Sequence, residues 1–393
     1  MSDRPGPLDG IRVLDLSSVI MGPYGTQMLG DLGADVVCIE TPDGDTNRAM
    51  GPGAHPQLSG VSMNVLRNKR SVCLDLKAEA GRAAFLRLVA GADVVVTNLR
   101  PGPLRRLRLS YPDVAAARPD IVFCRAHGYP SASPQAEAPA YDDIIQSASG
   151  IADLFDRLGM TPILAPTLIA DKVCGLHIAY AVLAALFHRE RTGEGQEVEV
   201  PMIDVMRAFA LVEHGAGGIT VPPVDRAGYR RILTPERRPQ RTSDGWINVL
   251  PYRDEHYDEL FRVAGRDDLV GDPRIATREA RIENSDSLYR EVAAALAQRD
   301  TAFWLDFAER HGIPATRAAT LDDLVEQLPI AVHPHAGGYR VVLPPIGFSA
   351  SPASVRRPAP LVGEHGREVL ADAGFSEAEI ASLEAEGVLG ASS

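Results

Sequence analysis

What constrains this chain most is the alternation of short β-branched runs with helical stretches over its first 130 residues. Residues 11–16 read IRVLDL, and Gly22-Pro23 then leads into a helix expected over 24–32 and closed by Gly33. DVVCIE follows at 35–40. Strand, helix and strand within about thirty residues make a βαβ unit, whose strands must pair in parallel. The same pattern predicts a strand over 71–76, a helix over Glu79–Ala90 capped by Gly91, a strand over 93–97, a short helix at 104–107 and a strand over 120–125. The fold class is therefore α/β, a doubly wound parallel sheet. Dinucleotides are the usual tenants of such a sheet, and their mark is GxGxxG directly after the first strand. Here the chain reads SSVIMGPYG at that place, which disfavours a dinucleotide dehydrogenase.

Further along, residues 165–195 read APTLIADKVCGLHIAYAVLAALFHRERTGEG. From Leu176 to Phe187 nearly every residue is apolar, so the helix is expected at the centre of its domain. Gly193 stops it, and His188, Arg189 and Arg191 suit the negative end of its dipole. Asp171 stands in its first turn. That position admits two readings: a helix cap, the common employment of Asp there, or a carboxylate held ionised by free N–H groups, as a nucleophile is. The apolar, Pro-broken approach over 162–170 is expected to be buried, where a charge is costly without a purpose.

Residues 141–155 place Ile144, Ile145, Ala148 and Ile151 on one helical face, and EVEV at 197–200 reads as a strand. Periodicity is lost between Gly215 and Arg241, a domain boundary signal. Beyond it, a strand over 246–250 and amphipathic helices over 285–298 and 301–310 suggest a smaller α+β domain. A strand over 335–344, a Pro- and Ser-rich loop over 345–360 and two short helices ending at Leu389 complete the chain. The expected organisation is a large domain over 1–215, a small α+β domain over 216–330, and a return segment over 331–393 packing on the large domain. A net charge of -12 argues against nucleic acid and anionic membrane as partners, so an anionic ligand would need a local basic patch. Cys38, Cys73, Cys124 and Cys174 are scattered singly, without metal-ligand spacing, as in a reducing cytoplasm. The polar start MSDRPGPLDG and the absence of an apolar run of spanning length point the same way: cytoplasmic, no membrane.

Eight segments, in order and spread over nearly the whole chain, carry a resemblance: PLDGIRVLDLSSVIMGP, GDLGADVVCIETPDGDTNR, NKRSVCLDLK, VVTNLRPGPLRRL, AYDDIIQSASG, IADKVCGLHIAYAVLAAL, RTGEGQEVEVP and APLVGEHGREVL. Together they resemble the class III CoA-transferases, the CaiB/BaiF and formyl-CoA transferase group that also includes α-methylacyl-CoA racemase. The resemblance implies an interlocked homodimer, each chain with a Rossmann-like large domain built from both termini and a small middle domain. It implies coenzyme A, carried as acyl-CoA, and carboxylic acids as substrates, with no metal. Asp171 matches the family's catalytic aspartate. CoA contacts would fall on Val19, Leu74, Lys77, Asn98, Leu99, Arg106, Leu107, Tyr141 and Met202, with Lys69, Arg70, Arg100, Arg105 and Arg108 adding to the basic patch. Tyr141 stands where racemase members carry a His; a phenol, of ordinary pKa about 10, is a poor proton shuttle, which favours CoA transfer over the alternative of a racemase or epimerase. A non-catalytic CoA-binding protein is the second alternative. The family's glycine loop has only HGAGG at 214–218 as a counterpart, so formate and oxalate are disfavoured. His127 follows a predicted strand and is either a contact to the acyl group or a hydrogen-bonded loop histidine. Arg237, Arg238 and Arg241 either read a dicarboxylate or face solvent.

Overall fold

The computed structural model describes residues 5–390, which divide into two compact units. The first comprises the residues up to Gly150, Leu164–Phe209 and those from Leu328 onward. In chain order it begins β1 (Arg12–Leu16), α1 (Met21–Asp31), β2 (Asp35–Glu40), α2 (Gly60–Val65), β3 (Lys69–Leu74), α3 (Glu79–Ala90) and β4 (Val94–Thr97). There follow α4 (Pro101–Leu107), α5 (Tyr111–Ala117), β5 (Val122–His127) and α6 (Asp142–Ala148). After α7 (Ile151–Arg157), which belongs to the second unit, come α8 (Ile169–Thr192), β6 (Gln196–Pro201) and α9 (Met202–His214).

These strands form one sheet in the order Leu389–Gly390, β3, β2, β1, β4, β5, β6, all parallel except the C-terminal Leu389–Gly390, which runs antiparallel to β3. Continuous runs such as VVVT of β4 are buried throughout, as strands covered on both faces must be. The order reverses between β1 and β4, so a crevice opens beyond their C-terminal ends, where ligands of doubly wound sheets bind. Antiparallel pairing of Leu389 with Leu74 and ion pairs from Arg70 to Glu368 (3.0 Å) and Asp372 (2.7 Å) tie the C-terminal segment to this sheet.

α1 and α8 cross closely because both carry glycine at the contact. A Cβ at Gly25 would lie 2.9 Å from the Gly175 carbonyl oxygen, and one at Gly175 would lie 2.9 Å from the Tyr24 ring. Lys69, expected in a ligand-facing patch, is instead wholly buried, its Nζ donating to Asp15 Oδ2 (2.9 Å), the Pro23 carbonyl (2.9 Å) and Thr26 Oγ1 (2.8 Å). Arg70 is likewise spent on Asp35, Glu368 and Asp372. Both were expected to serve an anion; strand β3 begins at 69, two residues before the predicted start, and so buries them.

α8 corrects two further expectations. It is long and apolar enough, by length and composition, to cross a membrane, although no run of that kind was expected. Nor is it buried all round: Cys174, Ile178 and Val182 are fully buried, whereas Leu176 (51%), Tyr180 (58%) and Phe187 (63%) are exposed along one stripe. Its approach over 162–170 is not buried: four residues are exposed, four half-buried, and only Ala170 is fully enclosed.

The second unit comprises Ile151–Ile163 and Ala210–Gln327. A three-stranded antiparallel sheet, Gln240–Arg241, Trp246–Val249 and Ala315–Arg317, packs with helices Asp254–Val263, Ser285–Leu296 and Thr301–His311 around Trp304, Phe261 and Phe307. The boundary after Phe209 lies inside α9, upstream of the place at 215 where sequence periodicity fails, because a helix keeps its period across a domain boundary. Residues 151–163, expected in the large domain, join the second unit, where Arg157 Nη1 donates to the Ala227 carbonyl at 2.6 Å. The strand expected over 335–344 is a hairpin, Ile330–His333 with Gly337–Arg340, Gly337 taking a left-handed φ of 73° that suits a residue without Cβ.

Candidate active site

The crevice at the sheet's order reversal is floored by the segments that leave β1, β4, β5 and β6. The loop after β1 is held under strain. Val19 has φ 69°, a left-handed conformation that a β-branched residue adopts only when its surroundings impose it. Those surroundings are visible: Asn98 Oδ1 accepts from the Ser18 N–H (3.1 Å) and Asn98 Nδ2 donates to the Ser18 carbonyl (2.7 Å). Asp45 accepts from the Val19 N–H at 2.9 Å, and Asn47 Nδ2 donates to the Val19 carbonyl at 3.1 Å. The segments after β1, β2 and β4 are thereby tied into one rim.

Asp171 is the third residue of α8, not its cap. The cap position is Leu168, and the Asp171 N–H is itself satisfied by Asp142 Oδ1 at 3.0 Å, from the first turn of α6. Gln146, one turn along α6, donates to Asp142 Oδ2 at 2.6 Å and accepts from the Ala165 N–H at 2.8 Å, so α6 fixes the entrance of α8. The electrostatic expectation for Asp171 is overturned as well. Burial, then the negative charges of Asp142 and Asp143, push its carboxyl up to about 7, so the helix dipole does not prevail. A carboxyl poised near neutrality is half ionised at physiological pH and regains full nucleophilic character when a cationic or hydrogen-bonding ligand compensates it.

Asp171 lines a cavity of about 250 Å³ together with Val19, Asn98, Leu99, Tyr141 and Met202, so six of the positions predicted from sequence converge there. A second cavity, of about 370 Å³, is lined by Lys77, Arg106, Leu107 and Arg108 with Glu79 and Arg82. Glu79 pairs with Arg82 and with Arg108 (2.8 Å), which leaves Lys77 and Arg106 as its uncommitted cations among the described residues. Pro103 lines both cavities, so the cationic one adjoins the one that holds Asp171. Arg100 lines the Asp171 cavity, while Arg105 pairs with Glu137 at 2.8 Å.

Leu74 is not brought to either cavity: its side chain lies in the sheet core with Leu16, Phe85 and Leu389. Parallel strands buried on both faces leave no side chain for a ligand along their length. Arg237, Arg238 and Arg241 do not converge either. Arg238 reaches Glu236 at 3.6 Å and Arg241 lies over the Trp246 ring; the cavity of the second unit gathers Arg231, Arg278 and Arg281 instead. His127 is the last residue of β5 and buried, not a loop histidine; its Nε2 lies 2.9 Å from Glu199 Oε1, and it lines the cavity of Asp171. Sequence reasoning missed Asp142 and Asp45, whose roles depend on partners 29 and 26 residues away. Among the described residues no group of His, Cys, Asp and Glu is arranged to hold a metal.

Comparison with known proteins bears on this arrangement. The profile of CoA-transferase family III matches residues 8–366. A probable fatty acyl-CoA transferase of Mycobacterium tuberculosis is 32% identical over 390 residues, covering 94% of this chain and 99% of that protein. A succinate–glutarate CoA-transferase of Agrobacterium fabrum is 30% identical over 391 residues, covering 95% and 97%. A crystal structure of a CaiB/BaiF family protein from Brucella suis superposes with a TM-score of 0.80 at 29% identity, covering 94% of this chain and all of that one.

Proposed function

The chain belongs to CoA-transferase family III, and from that premise we propose that it moves CoA from an acyl-CoA to a free carboxylic acid with Asp171 as the covalent carrier. The observation that carries this reading is the placement of Asp171, buried with its carboxyl raised to about 7, in a cavity that adjoins the cationic one through Pro103. Lys77 and Arg106 would take the phosphates of CoA, and the rim of Val19, Asn98 and Leu99 would guide the pantetheine toward Asp171.

In the proposed cycle a carboxylate oxygen of Asp171 attacks the thioester carbon, the C–S bond breaks and CoA leaves as thiolate, giving an acyl-aspartyl anhydride. The thiolate attacks the aspartyl carbonyl, which releases the donor acid as carboxylate and leaves an aspartyl-CoA thioester. The acceptor carboxylate attacks that carbon, thiolate leaves again, and its return to the acceptor's acyl carbon frees Asp171. Each intermediate keeps the activation of the original thioester, so no ATP is needed. The backbone N–H of Gly128 and its neighbours at the end of β5 are candidates to stabilise the oxyanions.

The acids handled by relatives, such as the succinate and glutarate in the name of the Agrobacterium protein, make short carboxylic acids the first class to screen. The exposed apolar stripe of α8 supports the interlocked homodimer, whose second chain would cover it. A cytoplasmic location and large and small domains near the two units described above complete the reading. The test is chemical trapping: enzyme incubated with an acyl-CoA and quenched with hydroxylamine or borohydride should carry the modification on Asp171 in peptide mass spectrometry. An active enzyme with Asp171 unmodified would overturn the proposal, and deuterium uptake at the substrate α-carbon in heavy water would favour the racemase alternative.

A further inference from the structure

The second unit holds a cavity of its own, about 280 Å³, which takes no part in the cycle just described. Arg278, Arg281, Ser285 and Tyr289 recur every three or four residues along the helix Arg278–Glu283 and the helix Ser285–Leu296 that follows it, so both helices turn the same side to the cavity. Arg231, from the segment after α9, and Tyr257, from the helix Asp254–Val263, complete the polar lining. No carboxylate belongs to it. In a chain of net charge -12, three guanidiniums in a lining without an acid are a local reversal of sign.

The side chains converge at their tips. The Arg231 guanidinium donates to the hydroxyls of Tyr289 and Tyr229. The guanidinium carbon of Arg281 lies 5.1 Å from the centre of the Tyr257 ring, and the charges of Arg281 and Arg231 both act on the Tyr257 hydroxyl. Burial outweighs those charges and pushes the phenol up to about 12, so it keeps its proton and can donate it. Tyr289, which accepts from Arg231, also has its own proton left to give. Arg281 has a counter-ion in Asp254 at 2.7 Å, whereas half-buried Arg231 and exposed Arg278 make no ion pair among the described residues.

Two of the three cations are therefore unmatched. A half-buried guanidinium served only by phenols carries a desolvation cost that an anion recovers. A set so rich in donors selects a ligand group that only accepts, a carboxylate or a phosphate, and two unmatched charges suit a dianion. Ile282 and Leu288 add an apolar wall for a carbon body. The volume lies just under the usual range of small-molecule pockets, which admits a compact ligand rather than a nucleotide.

We propose that this cavity is an anion-binding site that takes a small organic dianion, a dicarboxylate or a phosphate monoester, on Arg231, Arg278 and the hydroxyls of Tyr257 and Tyr289. It shares no lining residue with the cavity of Asp171.

The test is protection of Arg278 in the full-length protein against phenylglyoxal, a reagent of accessible guanidiniums, read by peptide mass spectrometry at constant ionic strength. Succinate and inorganic phosphate are the probes; acetate and chloride are the monoanion controls. At least one dianion should halve the modification of Arg278 at about 1 mM or below, where neither monoanion protects. The tighter of the two assigns the head group, dicarboxylate or phosphate. Arg231→Met should raise the protecting concentration at least about tenfold, and Tyr289→Phe, which removes a single hydroxyl from a side chain of the same shape, at least about threefold. Asp171→Asn should leave it unchanged. Protection by neither dianion up to about 20 mM overturns the site, as does equal protection by acetate or chloride, or an unaltered concentration in both Arg231→Met and Tyr289→Phe. Protection lost in Asp171→Asn overturns it too, by assigning the dianion to the other cavity. No arm reads CoA transfer, so this site and the transferase reading fail separately.

Discussion

At the scale of single residues, the carboxyl of Asp171 sets the expected pH behaviour. Its nucleophilic form is the carboxylate, so kcat/KM should rise about tenfold per pH unit below neutrality and level off above about 7. The stability effect has the opposite sense. A carboxyl whose folded value exceeds its unfolded value binds more protons when folded, so its contribution is complete at low pH and is lost as pH rises toward and through about 7. Asp171→Asn should therefore abolish transfer, yet melt higher than the wild type at pH 8, with a difference that shrinks toward pH 4; the full linkage is at most about 4 kcal/mol. Differential scanning over that range checks it. Asp142→Asn keeps an oxygen for the Asp171 N–H while removing the charge that helps raise the Asp171 carboxyl. The limb of the pH–rate profile should move toward acid, and a limb that stays near 7 would show that Asp142 contributes nothing. Asp171 was legible in sequence as a residue of interest, but its protonation was not: the dipole is local, whereas burial and the approach of α6 are not.

At the scale of elements, two contacts hold the site's scaffold. Lys69 and Asp15 form a buried ion pair beneath the loop after β1, with Thr26 and Ser17 completing the bonds of Asp15. Lys69→Met strands the Asp15 charge and should cost about 3–5 kcal/mol, measured by urea denaturation, while the double change with Asp15→Asn should recover part of it. The crossing of α1 on α8 is set by Gly25 and Gly175. Gly175→Ala must push the helices apart against the Met21 carbonyl, 3.0 Å from the new Cβ, for about 1–3 kcal/mol, with a fall in kcat because α8 carries Asp171. Strand and helix types were readable from pattern, since buried parallel strands are continuous apolar runs. The start of β3 was displaced because RNKR at 67–70 looks like solvent-facing charge until Asp31, Asp15 and Asp35 are seen to neutralise Arg67, Lys69 and Arg70 from other elements.

At the scale of the whole molecule, the unpartnered stripe of Leu176, Tyr180 and Phe187 calls for a second surface. Light scattering on the eluting protein should give a mass of two chains, and Tyr180→Glu with Phe187→Glu should yield monomer or aggregate; a monomeric wild type would remove the dimer from the proposal. The sequence by itself determined the alternation of strand and helix, hence a parallel doubly wound sheet, and through eight ordered segments the family. It did so because period and turn chemistry act between near neighbours. Only the tertiary structure decided which charges are spent inside and which remain for a ligand, that Asp142 rather than Asp171 satisfies the start of α8, and that His127, buried against Glu199, lines the cavity of Asp171. Those outcomes turn on desolvation and on partners tens of residues distant, and neither quantity exists until the chain has closed on itself.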